Sequence, residues 1–157
     1  MNLLTFNLLF STLIFSVAAK IYLMLKLPQM KVQTVMIPIL LLHSFRHLGL
    51  MFIMRGASDP NIPSQFAYPA AFGDLLAAVL AISTIPLVLK GVKSAKFLVW
   101  IFNLEGTIDL LMAITLATIF NAAEFMGPAY WIPAFWVPAL LVTHYITFIV
   151  LVKYWRS

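Results

Sequence analysis

Five long apolar stretches, separated by short polar or basic connections, make up most of the chain. They cover about residues 2–25, 32–54, 69–89, 97–120 and 128–154. At about 1.5 Å of rise per residue, each stretch is long enough to cross a hydrocarbon core about 30 Å thick. The connections are rich in Pro, Gly, Asn, Asp or Lys, which favour turns and loops. The pattern therefore predicts an all-α, polytopic transmembrane helix bundle with five spans, forming a single domain over residues 1–157.

The first stretch could also be interpreted as a secretory signal. Such a signal opens with a basic region, and no Lys or Arg precedes Lys20 in this sequence. We therefore expect a retained transmembrane helix.

Composition strengthens the membrane interpretation and excludes several kinds of chemistry. Of the 157 residues, 63 % are hydrophobic and 10 % are charged, whereas soluble domains carry about 25 % charged residues. The lipid bilayer is therefore the main expected partner. The chain has no cysteine, so disulfides, thiolate metal sites, cysteine nucleophiles and iron–sulfur clusters are excluded. The net charge of +5 does not indicate a nucleic-acid partner, because the basic residues lie at the ends of the spans.

The distribution of the basic residues predicts the topology. With five spans, one side of the membrane carries Lys20, Lys26, Lys31, Lys90, Lys93, Lys96, Lys153 and Arg156. The other side carries Arg55 with two acids, Asp59 and Glu124. Cytoplasmic loops are enriched in Lys and Arg. We therefore expect the N-terminus outside and the C-terminus in the cytoplasm, in a bacterial cytoplasmic membrane.

Ionisable residues inside the spans are the candidate functional residues. Span 2 contributes His43, Arg46 and His47, which share one helical face. Spans 3, 4 and 5 contribute the others, which are Asp74, Glu105, Asp109 and His144. With neutral histidines, one base and three acids give a charge of 1 − 3 = −2 within the spans. Hydrocarbon does not tolerate such a charge. We expect a bound cation, protonation, water access, or a buried pair between Arg46 and Asp74 or Asp109.

A buried site for a divalent metal ion or a small ligand is the leading functional hypothesis. Imidazole and carboxylate groups on facing helices form metal sites in helix bundles. The candidate ligands are His43, His47, Asp109 and His144, with Arg46, Asp74 and Glu105 completing the polar interior. A haem held by His43 or His47 together with His144 is a narrower version of this hypothesis. The alternative without a ligand is that histidines and acids hydrogen-bond one another and join the helices.

Three other functions remain open from the sequence. Stacked Asp, Glu and His side chains carry protons in pumps, so a proton-coupled transporter or proton path is one alternative. An accessory or structural subunit of a larger membrane complex, or a homo-oligomer, is another, since 157 residues form a thin bundle. The third is a membrane enzyme that performs acid/base chemistry on a lipid-soluble substrate. The spacing of His43 and His47 resembles a histidine box of membrane desaturases, but the chain has only three histidines, far fewer than that family requires.

Two sequence phrases resemble a group of small bacterial integral membrane proteins. They are His43-x-x-Arg46-His47-x-Gly49-Leu50 and Phe66-Ala67-Tyr68-Pro69-Ala70-Ala71-x-Gly73-Asp74-Leu75, accompanied by Thr143-His144. The resemblance covers most of the chain. It implies a bacterial membrane protein and carries over no activity or site.

Overall fold

The computed structural model describes residues 3–155 and is predominantly helical, without a β-strand in that range. Five of its helices are long and apolar enough to cross a membrane, and we number them as spans 1 to 5: Leu3–Gln29, Val32–Ile53, Ser64–Lys90, Ser94–Ile119 and Gly127–Tyr154. The predicted all-α architecture with five potential spans is confirmed. The predicted start of span 1 at Asn2 lies outside the described residues.

Spans 3 and 4 are continuous α-helices, whereas spans 1, 2 and 5 change helix type along their length. The α-helices are α1 (Leu3–Ala19), α2 (Val32–Ser44), α3 (Ser64–Lys90), α4 (Ser94–Ile119) and α5 (Val137–Ile149). The 3₁₀ segments are Leu27–Gln29, Phe45–Ile53, Ala122–Phe125 and Gly127–Tyr130. The π-helical segments are Lys20–Met24, Ile132–Trp136 and Val150–Tyr154.

Span 3 begins five residues earlier than the sequence pattern predicts. Pro63 precedes the helix, and its carbonyl accepts hydrogen bonds from the amides of Phe66 and Ala67. Pro69 lies in the second turn, where it removes one backbone hydrogen bond without ending the helix. As a result Phe66, which the sequence pattern places in the connection before span 3, is a core residue that is 2 % exposed.

The buried apolar residues form two clusters at opposite ends of the bundle. The cluster at the lysine end, where the connections carry lysines, is built around Met36, Leu40, Val99, Phe102 and Ile146. The cluster at the other end, which we call the loop end, is built around Phe66, Leu110, Met126, Ile132 and Leu140. Buried polar side chains from spans 2 to 5 lie between the two clusters. The fold thus places a polar layer between two apolar layers.

Span 1 is the peripheral helix of the bundle. Of the described residues of α1, only Leu4 is buried, and most of the helix packs against span 5. Two side-chain hydrogen bonds join the helices: Asn7 Nδ2 donates to Tyr130 Oη at 3.0 Å, and Ser11 Oγ donates to the Ala134 carbonyl at 2.7 Å. Much of the remaining α1 surface is apolar and exposed, as expected for a helix that faces lipid.

Candidate functional site

Arg46 is the centre of the polar layer and is 1 % exposed. Its Nε donates to Asp74 Oδ1 at 2.7 Å, and its Nη2 donates to Asp109 Oδ2 at 2.5 Å. Its Nη1 donates to the Gly106 carbonyl at 3.3 Å. The sequence predicts an ion pair with one of the two aspartates, and the structure contains both. One guanidinium therefore joins spans 2, 3 and 4.

A change of helix type places Arg46 in the interior. Span 2 changes from α to 3₁₀ at Phe45, and a 3₁₀-helix has three residues per turn, so that side chains three apart are eclipsed. His43, Arg46, Gly49 and Phe52, spaced by three, are all buried. Because of this three-residue period, Arg46 lies directly beneath His43 along the helix, and the residues between them face outward.

Glycine backbones bring the charged side chains within reach of each other. A Cβ at Gly49 would overlap the Asp74 side chain, and a Cβ at Gly73 would overlap Oδ1 of Asp109. A Cβ at Gly106 would lie 2.6 Å from Nη1 of Arg46. The three glycines therefore provide the space that the buried ion pairs occupy.

We expect Gly73→Ala to destabilise the bundle, because the added methyl group displaces the Asp109 carboxylate from Arg46. Overpacking of this kind costs about 1–3 kcal/mol. Unfolding in detergent micelles measures the loss. Val79→Ala on the exposed face of the same helix is the control. Equal stability of the two variants would contradict the close approach at Gly73.

His144 extends the network to span 5. Its Nε2 lies 3.4 Å from Arg46 Nη1, and its Nδ1 lies 2.8 Å from Asn103 Oδ1. Arginine is only a donor, so Nε2 accepts, while Nδ1 carries the proton and donates to the amide oxygen. In this arrangement the imidazole is neutral and its tautomer is set by its two neighbours.

His43 lies beside His144 but has a free nitrogen. Its Nε2 is 2.9 Å from Oγ1 of Thr143, whose hydroxyl lies within donating distance of the Ala139 and Leu140 carbonyls. The Thr143 oxygen is therefore the acceptor and His43 Nε2 the donor. The lone pair on Nδ1 is buried, without a hydrogen-bond partner among residues 3–155.

Two predicted site residues are not part of this cluster. His47 is exposed, and its Nδ1 lies 3.0 Å from the Ser44 carbonyl of its own helix. Glu105 is half-buried and makes no ion pair in the described part of the chain; its Oε2 is buried without a partner there. The expectation that His43 and His47 share one inward face is wrong, because the 3₁₀ turn rotates His47 outward.

Replacing the two histidines tests this difference directly. His43→Ala leaves the Thr143 hydroxyl without its buried donor and empties a ring-sized space. We therefore expect a loss of about 2–4 kcal/mol in the free energy of unfolding. His47→Ala, on the exposed face, should change it by less than about 0.5 kcal/mol. Denaturant titration in micelles provides both values, and similar losses would contradict the assigned orientations.

Asn103 completes the site, although sequence reasoning did not single it out as a candidate. It is fully buried, and its Oδ1 fixes the tautomer of His144. Asn103, Gly106 and Asp109 recur at intervals of three along α4, all buried. This spacing of three is the sequence pattern that could have indicated that Asn103 belongs to the site. It identifies a site residue only when the helices that face α4 are known.

The four predicted metal ligands do not converge on one point. The structure shows no group of three or more His, Asp or Glu side chains within the described residues that could hold a metal ion. Asp109 and His144 face the Arg46 guanidinium, which repels a cation, and His47 faces outward. The rings of His43 and His144 are 4.3 Å apart between centroids, which leaves no space for a porphyrin between them.

A small cavity touches the cluster from the loop end. It has a volume of about 20 Å³, and Asp74 is its charged lining residue, among apolar side chains that include Phe52, Leu110 and Pro133. A cavity of this size holds about one water molecule. It provides space for water beside the carboxylate and none for a small organic ligand.

Comparison with curated proteins and with solved structures finds no match. A family model, described as the domain of unknown function DUF8737, matches residues 3–152 and so includes every residue of the cluster. The chain therefore belongs to the DUF8737 family.

Proposed function

We propose that this protein is a proton-coupled membrane protein in which Arg46, Asp74 and Asp109 together bind and release one proton. We call these three residues the triad. The observation that carries the proposal is their charge count: one guanidinium serves two carboxylates, and the three side chains are 0 %, 9 % and 5 % exposed.

The triad lacks one positive charge when both aspartates are ionised. One arginine and two carboxylates sum to −1, and the neutral His144 adds nothing. An uncompensated charge in a low-dielectric interior costs several kcal/mol. A single added cation would neutralise the triad without any rearrangement of the helices.

The vacant acceptor in the triad is an oxygen of Asp109. Oδ1 is buried against Gly73 and has no hydrogen-bond partner among the described residues. An ionised carboxylate with one bare oxygen in this position is poorly solvated. A proton on the carboxyl group reduces that cost, which makes Asp109 the proposed site of uptake.

A proton fits this site better than a metal ion. A metal needs several free lone pairs, and the carboxylate oxygens nearest Arg46 are already engaged by it. The cavity beside Asp74 is about one water molecule in size. Protons need neither a coordination shell nor a large space.

The proposed topology follows from the distribution of lysines. Seven lysines lie around the lysine end, and none of the five acids of the chain does. By the positive-inside rule, this end faces the cytoplasm and the loop end faces outside. We place the protein in a bacterial cytoplasmic membrane, with the triad near mid-membrane.

Infrared difference spectroscopy of the protein in liposomes tests the proton site directly. A pH change should produce the C=O stretching band of a protonated carboxyl group, and Asp109→Asn should remove it. Glu105→Gln is the matched control, because Glu105 lies one helical turn from Asp109 and outside the triad. A spectrum without a titrating carboxyl band, or one that Asp109→Asn leaves unchanged, would refute the proposal.

Coupling to transport requires a second measurement. Proteoliposomes loaded with a pH-sensitive dye should respond to an imposed pH gradient, and Asp109→Asn should abolish the response. If the infrared band titrates but the flux of wild type and variant is equal, the triad binds a proton without moving it across the membrane.

A further inference from the structure

An open pocket on the loop end lies directly outside the small cavity that touches Asp74. The pocket has a volume of about 300 Å³ and is lined by residues of α1, α4, the connection to span 5 and the first turn of span 5, including Glu124 and Tyr130. The pocket and the cavity share two lining residues, Leu4 and Ala117. Leu4 and Ala117 therefore border both the surface pocket and the cavity beside Asp74.

We propose that Leu4 is the gate of a water route that connects the loop end to the triad. The proposal rests on the proposed proton site and adds that protons reach this site from the loop end of the bundle. The route passes from Glu124 at the surface, past Leu4 and Ala117, to the cavity beside Asp74. Along α4, from Ala117 to Leu110, it covers about 10 Å.

The position of Leu4 suits a gate. Leu4 is 3 % exposed and is the sole buried side chain in the described part of α1. Leucine side chains change rotamer on fast timescales once their packing loosens, so the gate can open without unfolding of a span.

The irregular backbone around the cavity supports the same route. Pro133 lines it from the π-helical segment of span 5, and Phe52 lines it from the 3₁₀ segment of span 2. In membrane proteins, irregular helices at membrane depth are found where they line cavities or are buried in protein. At the mouth, the carboxylate of Glu124 favours cations.

The lysine end is closed by contrast. Phe102 is fully buried and lies in ring contact with His43 and His144, at 5.0 and 5.4 Å between centroids. Leu40 and Val99, also fully buried, belong to the same apolar cluster. Exchange of protons with the triad therefore takes place from the loop end in this conformation.

Thiol labelling tests the gate cleanly, because the chain has no cysteine of its own. Ala113→Cys probes the cavity, Ala123→Cys probes the surface pocket, and Ala81→Cys, fully buried in the apolar cluster of the lysine end, is the control. Each variant is made with and without Leu4→Ala and treated with a charged, water-soluble methanethiosulfonate. Mass spectrometry measures the labelling rate of the folded protein.

We expect Leu4→Ala to increase the labelling rate of Ala113→Cys about tenfold. A tenfold change corresponds to a loss of about 1.4 kcal/mol in the free energy that keeps the gate closed. Ala123→Cys, which lines the surface pocket and not the cavity, should label in both backgrounds, and Ala81→Cys should label slowly in both. Leu4→Val, which retains more of the side chain, should give an intermediate rate and guards against a folding defect in Leu4→Ala.

Two results would overturn the gate. One is an unchanged rate for Ala113→Cys, and the other is an equal increase for Ala81→Cys, which would indicate general loosening. Labelling reports the route whether or not Asp109 binds a proton. A failed gate with a titrating infrared band thus removes only the route, and the reverse result removes only the proton site.

Discussion

Arg46→Met should lower the free energy of unfolding by about 3–5 kcal/mol, the usual cost of removing one partner from a buried ion pair. The substitution leaves Asp74 and Asp109 buried without their shared cation, while methionine fills most of the space. Unfolding in micelles, followed by a helix signal, measures the loss. Arg55→Met, on the exposed loop after span 2, is the control and should change stability by less than about 0.5 kcal/mol.

Neutralising both carboxylates should rescue this variant. In Arg46→Met combined with Asp74→Asn and Asp109→Asn, the layer contains no charge, and uncharged replacements of buried ion pairs are often neutral in stability or better. Recovery of most of the lost stability is the expected result. A triple variant as unstable as Arg46→Met alone would show that the arginine acts through its shape and not its charge.

The second large effect is the non-additivity of the two aspartates. Because the triad has one carboxylate more than its arginine can neutralise, either Asp74→Asn or Asp109→Asn alone leaves a balanced pair. Each single variant should therefore be as stable as wild type or more so. The double variant leaves Arg46 buried and unpaired and should lose about 3–5 kcal/mol.

This double-mutant cycle separates a proton site from a structural ion-pair network. If both anions were needed to hold the helices together, each single substitution would be costly and the losses would approximately add. Glu105→Gln, which removes a half-buried carboxylate outside the triad, provides the matched control. Unfolding of the wild-type protein and these four variants under the same conditions gives the coupling energy directly.

The charge balance also explains why the candidate chemistry differs from the leading sequence hypothesis. The sequence places three histidines and three acids within the spans, a set rich enough for a metal site. In the structure, Arg46 occupies the centre of that set, and its guanidinium takes up lone pairs that a metal would need. The metal hypothesis gave Arg46 no role in the ligand set, whereas in the fold Arg46 is the residue that contacts both aspartates and His144.

Sequence alone predicted five helices long and apolar enough to cross a membrane, the lysine distribution and the charged residues within those helices. These properties depend on the length and hydropathy of local stretches, and a bilayer imposes them on each stretch separately. The count of one base against three acids within the spans, a charge of 1 − 3 = −2 with neutral histidines, also needs no structure.

Only the tertiary structure decided which of these groups meet. The change from α to 3₁₀ winding at Phe45 turned His47 outward, whereas a period of 100° per residue predicts that His47 shares the inner face of His43 and Arg46. Asn103 became part of the site because His144 of another span faces it. The approach of Asp109 to Arg46 depends on a missing side chain at Gly73, on a third helix. Such contacts depend on how helices distant in sequence pack together, and a single chain's hydropathy pattern does not contain that information.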